Sequence, residues 1–157
     1  MKPRKQPVAD TPAPTFAFEQ TLDGTQEAVR GALAFFLNRL APLNLSDDAR
    51  DTIELVVAET LNNIVEHAFC DHPQPGFIWI RCHYRSGDLH LRITDFGNAM
   101  PDRALPQPKK FDAASPVSDL PEGGFGWNLI HELTGDVSYA RSGPMNIINM
   151  RIPVGAH

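Results

Sequence analysis

Cysteine is scarce in this sequence. Cys70 and Cys82 cannot build a disulfide framework, so a reduced cytoplasm is the simpler home. Long apolar runs are missing as well. The longest, ALAFFL, has six residues, against the roughly 20 a membrane-spanning helix needs, so no membrane association is expected. Basic charge is also short: a formal net charge of −5, with lysines and arginines scattered along the chain, argues against direct binding of nucleic acid or anionic lipid. The opening MKPRKQPVADTPAPTF begins basic but continues into prolines with no apolar core. That excludes a secretory signal and predicts a disordered leader over 1–15. No internal repeat and no second-domain linker is visible, so residues 16–157 read as one domain.

The remaining sequence alternates between strand and helix patterns. FAFEQTL (16–22) alternates apolar and polar residues as a strand does. Val29, Leu33, Phe36, Leu37 and Leu40 then recur at helical spacing, and that helix stops near Pro42. Ser46 followed by Asp47 and Asp48 opens a second helix, since a hydroxyl cap and early carboxylates suit its exposed amides; it is predicted to run to about Phe69. FIWIRCHY, the turn RSGD and LHLRITDF form a hairpin, and DVSYAR, SGP and MNIINMRIP form another. Between Gly97 and Glu122 the periodicity vanishes and five prolines appear, the mark of a functional or disordered loop. A short helix opens after it at GGFGWNLIHEL. The sum is an α/β, two-layer α+β sandwich: a mostly antiparallel sheet with three helices on one face.

Three places could carry chemistry. On the second helix Glu59, Asn63 and His67 stand four residues apart and share one face. A carboxylate there can accept a proton from a hydroxyl, and an amide oxygen one turn on can ligate a hard cation; a solvated stripe on an amphipathic helix is the plainer alternative. Asp95 ends a strand and is followed closely by Gly97. Its carboxylate can accept from the exocyclic amine of adenine, and glycine would let backbone approach the ring, although Asp-x-Gly is also an ordinary turn signal. Gly123, Gly124 and Gly126 precede the third helix, whose exposed amides favour phosphate. No Gly-Lys-Ser/Thr follows them, which excludes a Walker A loop, and a simple helix-entry turn would explain them as well. HAFCDH gathers His67, Cys70, Asp71 and His72, but a structural zinc site usually draws ligands from two separated pairs and no second pair is evident.

Taken in order, VVAETLNNIVEHAF, ITDFGNAMP and EGGFGWNLIHEL resemble the N, G1 and G2 boxes of the GHKL ATPase superfamily, and within it the anti-sigma-factor serine/threonine kinases of the RsbW and SpoIIAB type. The resemblance covers about residues 16 to 152 and implies a Bergerat-type fold with a mixed, mostly antiparallel sheet that binds ATP and Mg²⁺. It implies that Asn63 ligates the magnesium, that Glu59 is the catalytic base, and that Asp95 binds the adenine amine beside Gly97. It further implies that the 97–122 loop is the ATP lid, that Gly123, Gly124, Phe125, Gly126 and Trp127 form the phosphate-cradling turn, and that His67 and Asn146 border the nucleotide. Its partners would be a STAS-domain anti-anti-sigma protein, phosphorylated on serine or threonine, and a sigma factor held in the alternative state. A homodimer is also implied; Phe35 and Phe36 on the first helix could contribute, though core packing explains them equally. Three departures stand out: NAMP follows DFG instead of Gly-x-Gly, Trp127 replaces a usual leucine, and no arginine precedes the G2 glycines. Arg103, Lys109 and Lys110 lie in the lid, but no motif assigns any of them to the γ-phosphate. The alternative reading is a nucleotide-gated regulatory binding module without significant kinase activity.

Overall fold

The computed structural model describes residues 16–72, 76–106 and 125–155. Strand β1 (Phe16–Asp23) alternates strictly, with Phe18, Gln20 and Leu22 turned to the core. Helix α1 (Gln26–Arg39) starts where the Thr25 hydroxyl accepts from the Ala28 amide at 3.1 Å. It ends at a short 3₁₀ turn over Ala41–Leu43, led by the proline that cannot continue a helix. Helix α2 (Asp47–Asn63) is capped by the Ser46 hydroxyl, which accepts from Ala49 N at 3.1 Å, and Asp47 and Asp48 sit in its first turn.

The sheet continues with β2 (Phe77–Arg85) and β3 (Asp88–Asp95), joined by a tight turn in which Ser86 and Gly87 both take positive φ. Helix α3 (Phe125–Leu133) precedes the last hairpin, β4 (Asp136–Ser142) and β5 (Met145–Pro153). The five strands lie in the order β1-β2-β3-β5-β4, and every pairing is antiparallel. α2 packs against both α1 and α3, and the helices cover one face of the sheet. Between the layers Ile53, Val56, Val57 and Leu61 of α2 join Ile80, Leu91, Ile93 and Ile148 in one core, each fully or almost fully buried. Each such aliphatic side chain contributes roughly 1.5–3 kcal/mol relative to exposure.

One element differs from the sequence expectation. The second helix does not run as α-helix to Phe69; after Asn63 it widens into a π-helical turn over Ile64–Ala68. The loop beyond β3 grips this turn from outside. Asn98 N donates to the Ala68 carbonyl at 2.7 Å, and Asn98 Nδ2 donates to the Cys70 carbonyl at 3.1 Å. Such wide turns are rare and concentrate at functional sites. The expected leader at 1–15 and the lid from residue 107 to 122 lie outside the described residues, as do Gly123 and Gly124.

Candidate functional site

A cavity of about 450 Å³ opens between the C-terminal part of α2, the ends of β3 and β5, and the start of α3; Asn63, His67, Asp95, Met100, Trp127 and Asn146 are among the residues lining it. Its deep end is built by strand pairing. Register sets Asp95 opposite Asn146, and Asn146 opposite Arg141. Asp95 is 1% exposed and Asn146 2%. Asp95 Oδ1 accepts from Gly97 N and from Asn146 Nδ2, both at 2.8 Å. Asn146 Nδ2 also donates to the Asn98 carbonyl at 2.8 Å, while its Oδ1 accepts from Arg141 Nη1 at 3.0 Å and from the Tyr139 hydroxyl. Arg141 Nη1 reaches the Gly97 carbonyl at 2.7 Å, and the Tyr139 oxygen accepts from Met100 N at 3.0 Å.

Burial pushes the Asp95 carboxyl up from its ordinary value, against the bonds from Asn146 and Gly97 and the charge of Arg141, which favour its ionised form. Asp95 Oδ2 receives no hydrogen bond among the described residues. The buried aspartate therefore offers one braced oxygen and one acceptor not yet used, on a wall of the cavity. An acceptor held in this way suits a ring amine such as that of adenine.

Gly97 has a nearer reason to be glycine than approach of a ring. A Cβ there would come within 2.3 Å of the Ala68 carbonyl oxygen, so the glycine lets the loop dock on the π turn. Tyr139 and Arg141 are site residues that motif reading missed. The tight SGP turn held the signal, because it fixes a register that places Arg141 across from Asn146.

The other end is less complete. A Cβ on Gly126 would stand 2.7 Å from Glu59 Oε2 and 3.3 Å from Asn63 Nδ2, so the first turn of α3 rests directly on the polar stripe of α2. Asn63 Nδ2 is buried and has no acceptor among the described residues. That orphaned amide fits a ligand: its hydrogens suit phosphate oxygens, and its carbonyl oxygen is the type of donor a hard cation takes. Magnesium needs few protein ligands, so one asparagine with phosphates and water is chemically sufficient. His67 does not continue the line of Glu59 and Asn63 into the interior, because the π turn rotates it. Its side chain is 71% exposed at the cavity rim and lies 3.9 Å from Glu66. Trp127 lines the cavity and is otherwise buried in the core. His72 is bonded to Asn98 Oδ1 at 3.2 Å, and among the described residues no three His, Cys, Asp or Glu side chains converge as a metal site would require.

Compared with known proteins, residues 22–152 match the histidine kinase-like ATPase domain family, and the chain belongs to that family. It is 35% identical over 103 residues to the serine/threonine-protein kinase BtrW of Bordetella bronchiseptica, covering 64% of this chain and 68% of that protein. It is 32% identical over 92 residues to the serine-protein kinase RsbW of Halalkalibacterium halodurans, covering 58% of this chain and 54% of that protein. The matched part thus spans about half the length of the second relative. Among solved structures, the RsbU and RsbW domains of a Mycobacterium tuberculosis protein superpose with a TM-score of 0.61 at 17% identity, over 92% of this chain and 34% of that one, a likeness of fold. Both the expected GHKL kinship and the α/β architecture hold. No helix among the described residues is long and apolar enough to cross a membrane.

Proposed function

We propose that the protein is a serine/threonine kinase of the anti-sigma-factor type. It binds Mg-ATP, phosphorylates a STAS-domain anti-anti-sigma partner, and in the alternative state sequesters a sigma factor in the cytoplasm. The observation that carries this reading is the single cavity bordered at one end by the braced Asp95 carboxylate and at the other by Asn63 with its orphaned amide. The kinase names of its relatives support it.

In this reading Asp95 Oδ2 accepts from the adenine amine. Asn63 would hold the magnesium, and the turn entering α3 at Gly126 and Trp127 would take the phosphates, with Gly123, Gly124 and Phe125 as further members of that turn in the sequence. Magnesium supplies charge neutralisation of the triphosphate. Glu59 orients the partner's hydroxyl and takes its proton as the new oxygen–phosphorus bond forms and the bond to the leaving ADP breaks. A homodimer is part of the proposal.

One feature favours a second reading, a nucleotide-gated binding module without significant phosphotransfer. Glu59 is only half exposed and lies against the first turn of α3, so its carboxylate has a packing partner besides any incoming hydroxyl. The test is calorimetric titration of Mg-ATP into the protein and into Asp95→Ala, followed by phosphotransfer to STAS proteins. The kinase reading expects saturable binding, lost in the variant, and label transferred to a partner. Absence of binding by the wild type would refute both readings. Binding without transfer to any STAS protein would leave the module.

A further inference from the structure

The opposite face of the sheet carries a second feature that the nucleotide site does not use. Among the described residues no helix covers it, and a trough of about 750 Å³ runs across it. Strand register arranges the trough in rows. One row reads Glu19, Arg81, Arg92, Asn149 and Ser138; the next reads Ala17, His83, His90, Arg151 and Asp136. Arg85 lines the same trough.

Two of the arginines are already matched. Arg81 pairs with Glu19 at 3.0 Å, and Arg151 pairs with Asp136 at 3.0 Å and Asp88 at 3.5 Å. Among the described residues Arg92 has no ion pair and the buried Arg85 Nε has no acceptor. Between them His83 and His90 stack face to face, with ring centroids 4.7 Å apart and planes 5° from parallel. Burial, the His90 ring, Arg85 and Arg81 together hold the His83 imidazole below its ordinary pKa, as a locally positive field does. A protein with a net charge of −5 thus gathers four arginines and two histidines in this trough, against Glu19 and Asp136 in it and Asp88 paired at its edge. The adjoining row adds half-buried Trp79 and Ile147, and beyond it Phe77 and Phe96 touch at 5.4 Å, 48% and 41% exposed.

We propose that this sheet face docks a protein partner through an acidic segment flanked by apolar residues. Carboxylates of that segment would satisfy Arg92 and Arg85, and its apolar side chains would cover Trp79 and Ile147. Charge complementarity selects this occupant. The chain's own residues 1–15 carry Lys2, Arg4 and Lys5 against Asp10, the wrong sign for the trough. A second copy docked on the same face about a two-fold axis would bring like arginine rows together. A concave trough suits a protruding segment better than a flat bilayer. The inference is independent of the kinase reading, since the nucleotide cavity lies on the other side of the sheet.

The test is fluorescence anisotropy of a labelled peptide, DEEDLFDEL, against the full chain. The controls are its lysine-for-acid counterpart and vesicles of anionic lipid. The acidic peptide is expected to bind, to weaken with added salt, and to lose at least about tenfold in affinity with Arg92→Glu, as reversal of a recognising charge does. Arg81→Ala should weaken it less, and Asn63→Ala should leave it unchanged. Circular dichroism would verify that the surface variants fold. Absence of acidic-peptide binding, or binding indifferent to Arg92→Glu in a folded variant, overturns the proposal. So does equal binding of the lysine peptide, preferential binding of the vesicles, or a dimer in sedimentation that Arg92→Glu dissociates.

Discussion

The two ends of the nucleotide cavity are finished to different degrees. At the deep end Asp95, Asn146, Arg141 and Tyr139 hold one another in a bonded network that needs no ligand to exist. At the shallow end Asn63 buries an amide with no acceptor among the described residues, and Glu59 lies against the first turn of α3 with no ion pair among them. The first end is preorganised by the fold, and the second is left for the ligand to complete. Mutations should divide accordingly: changes that break the buried bonds of the deep end should cost stability in the ligand-free protein, whereas changes at the shallow end should be felt only in binding or turnover.

The largest effect is expected at Glu59. Glu59→Gln keeps the shape that packs against Gly126 but removes the carboxylate proposed as the base. Phosphotransfer should fall by at least ~100-fold while Mg-ATP affinity stays within about a factor of three. Single-turnover transfer beside calorimetry reads both quantities. Transfer at the wild-type rate would remove Glu59 from the chemistry.

Next is Asn146→Ala. It strips Asp95 of one donor, strands the Tyr139 hydroxyl, and frees the Asn98 carbonyl. Leaving buried polar groups unmatched should lower unfolding stability by about 2 kcal/mol, visible in urea titration of the ligand-free protein. A stability equal to wild type would show that the network is not the brace described above.

The same comparison explains what could be read from the sequence. The polar stripe of α2 was legible because Glu59 and Asn63 interrupt an otherwise apolar helical pattern, and the strand ends were legible because alternation stops at Asp95. The π turn was not. It is gripped by Gly97 and Asn98, some thirty residues away, and nothing in IVEHA itself announces a widened helix. An unbroken helical period therefore puts His67 on the face of Glu59 and Asn63, whereas the π turn leaves it at the cavity rim. Tyr139 and Arg141 were hidden for a related reason. They belong to no motif, and their role appears only when the β4–β5 register sets them beside Asn146. Local pattern gives the face a residue takes only while the helix keeps its period, and tertiary contact decides both that period and what the face meets.

Asn63→Ala should behave in the opposite manner to Asn146→Ala. It removes an unsatisfied buried amide, so the ligand-free protein should be no less stable than wild type. Affinity for ATP in the presence of magnesium should nevertheless drop roughly tenfold, the scale of one lost bond to a charged group. A thermal shift with and without Mg-ATP separates the two. If the ligand-free midpoint falls as far as it does in Asn146→Ala, the proposed contrast between the two ends fails.

The smallest effect on stability, and the finest probe of the deep end, is Asp95→Asn. Because burial raises the folded-state pKa of Asp95 above its ordinary value, the native protein binds more protons than the unfolded chain between those two values. Its contribution to stability therefore falls as pH rises through that window and is least favourable at neutral pH. Asparagine removes the charge while its Oδ1 can still accept from Gly97 N and Asn146 Nδ2. The variant should match or slightly exceed wild-type stability at pH 7, with that advantage shrinking as pH falls toward 4. In binding, the new amide would face the cavity with a donor where the adenine amine also donates, so ATP affinity should collapse. A purine bearing a carbonyl at that position, as in GTP or ITP, should gain relative to ATP, because its oxygen accepts what asparagine now offers. Unaltered preference for ATP in a folded Asp95→Asn protein would mean that the free carboxylate oxygen does not read the base, and that the preorganised end serves the fold alone.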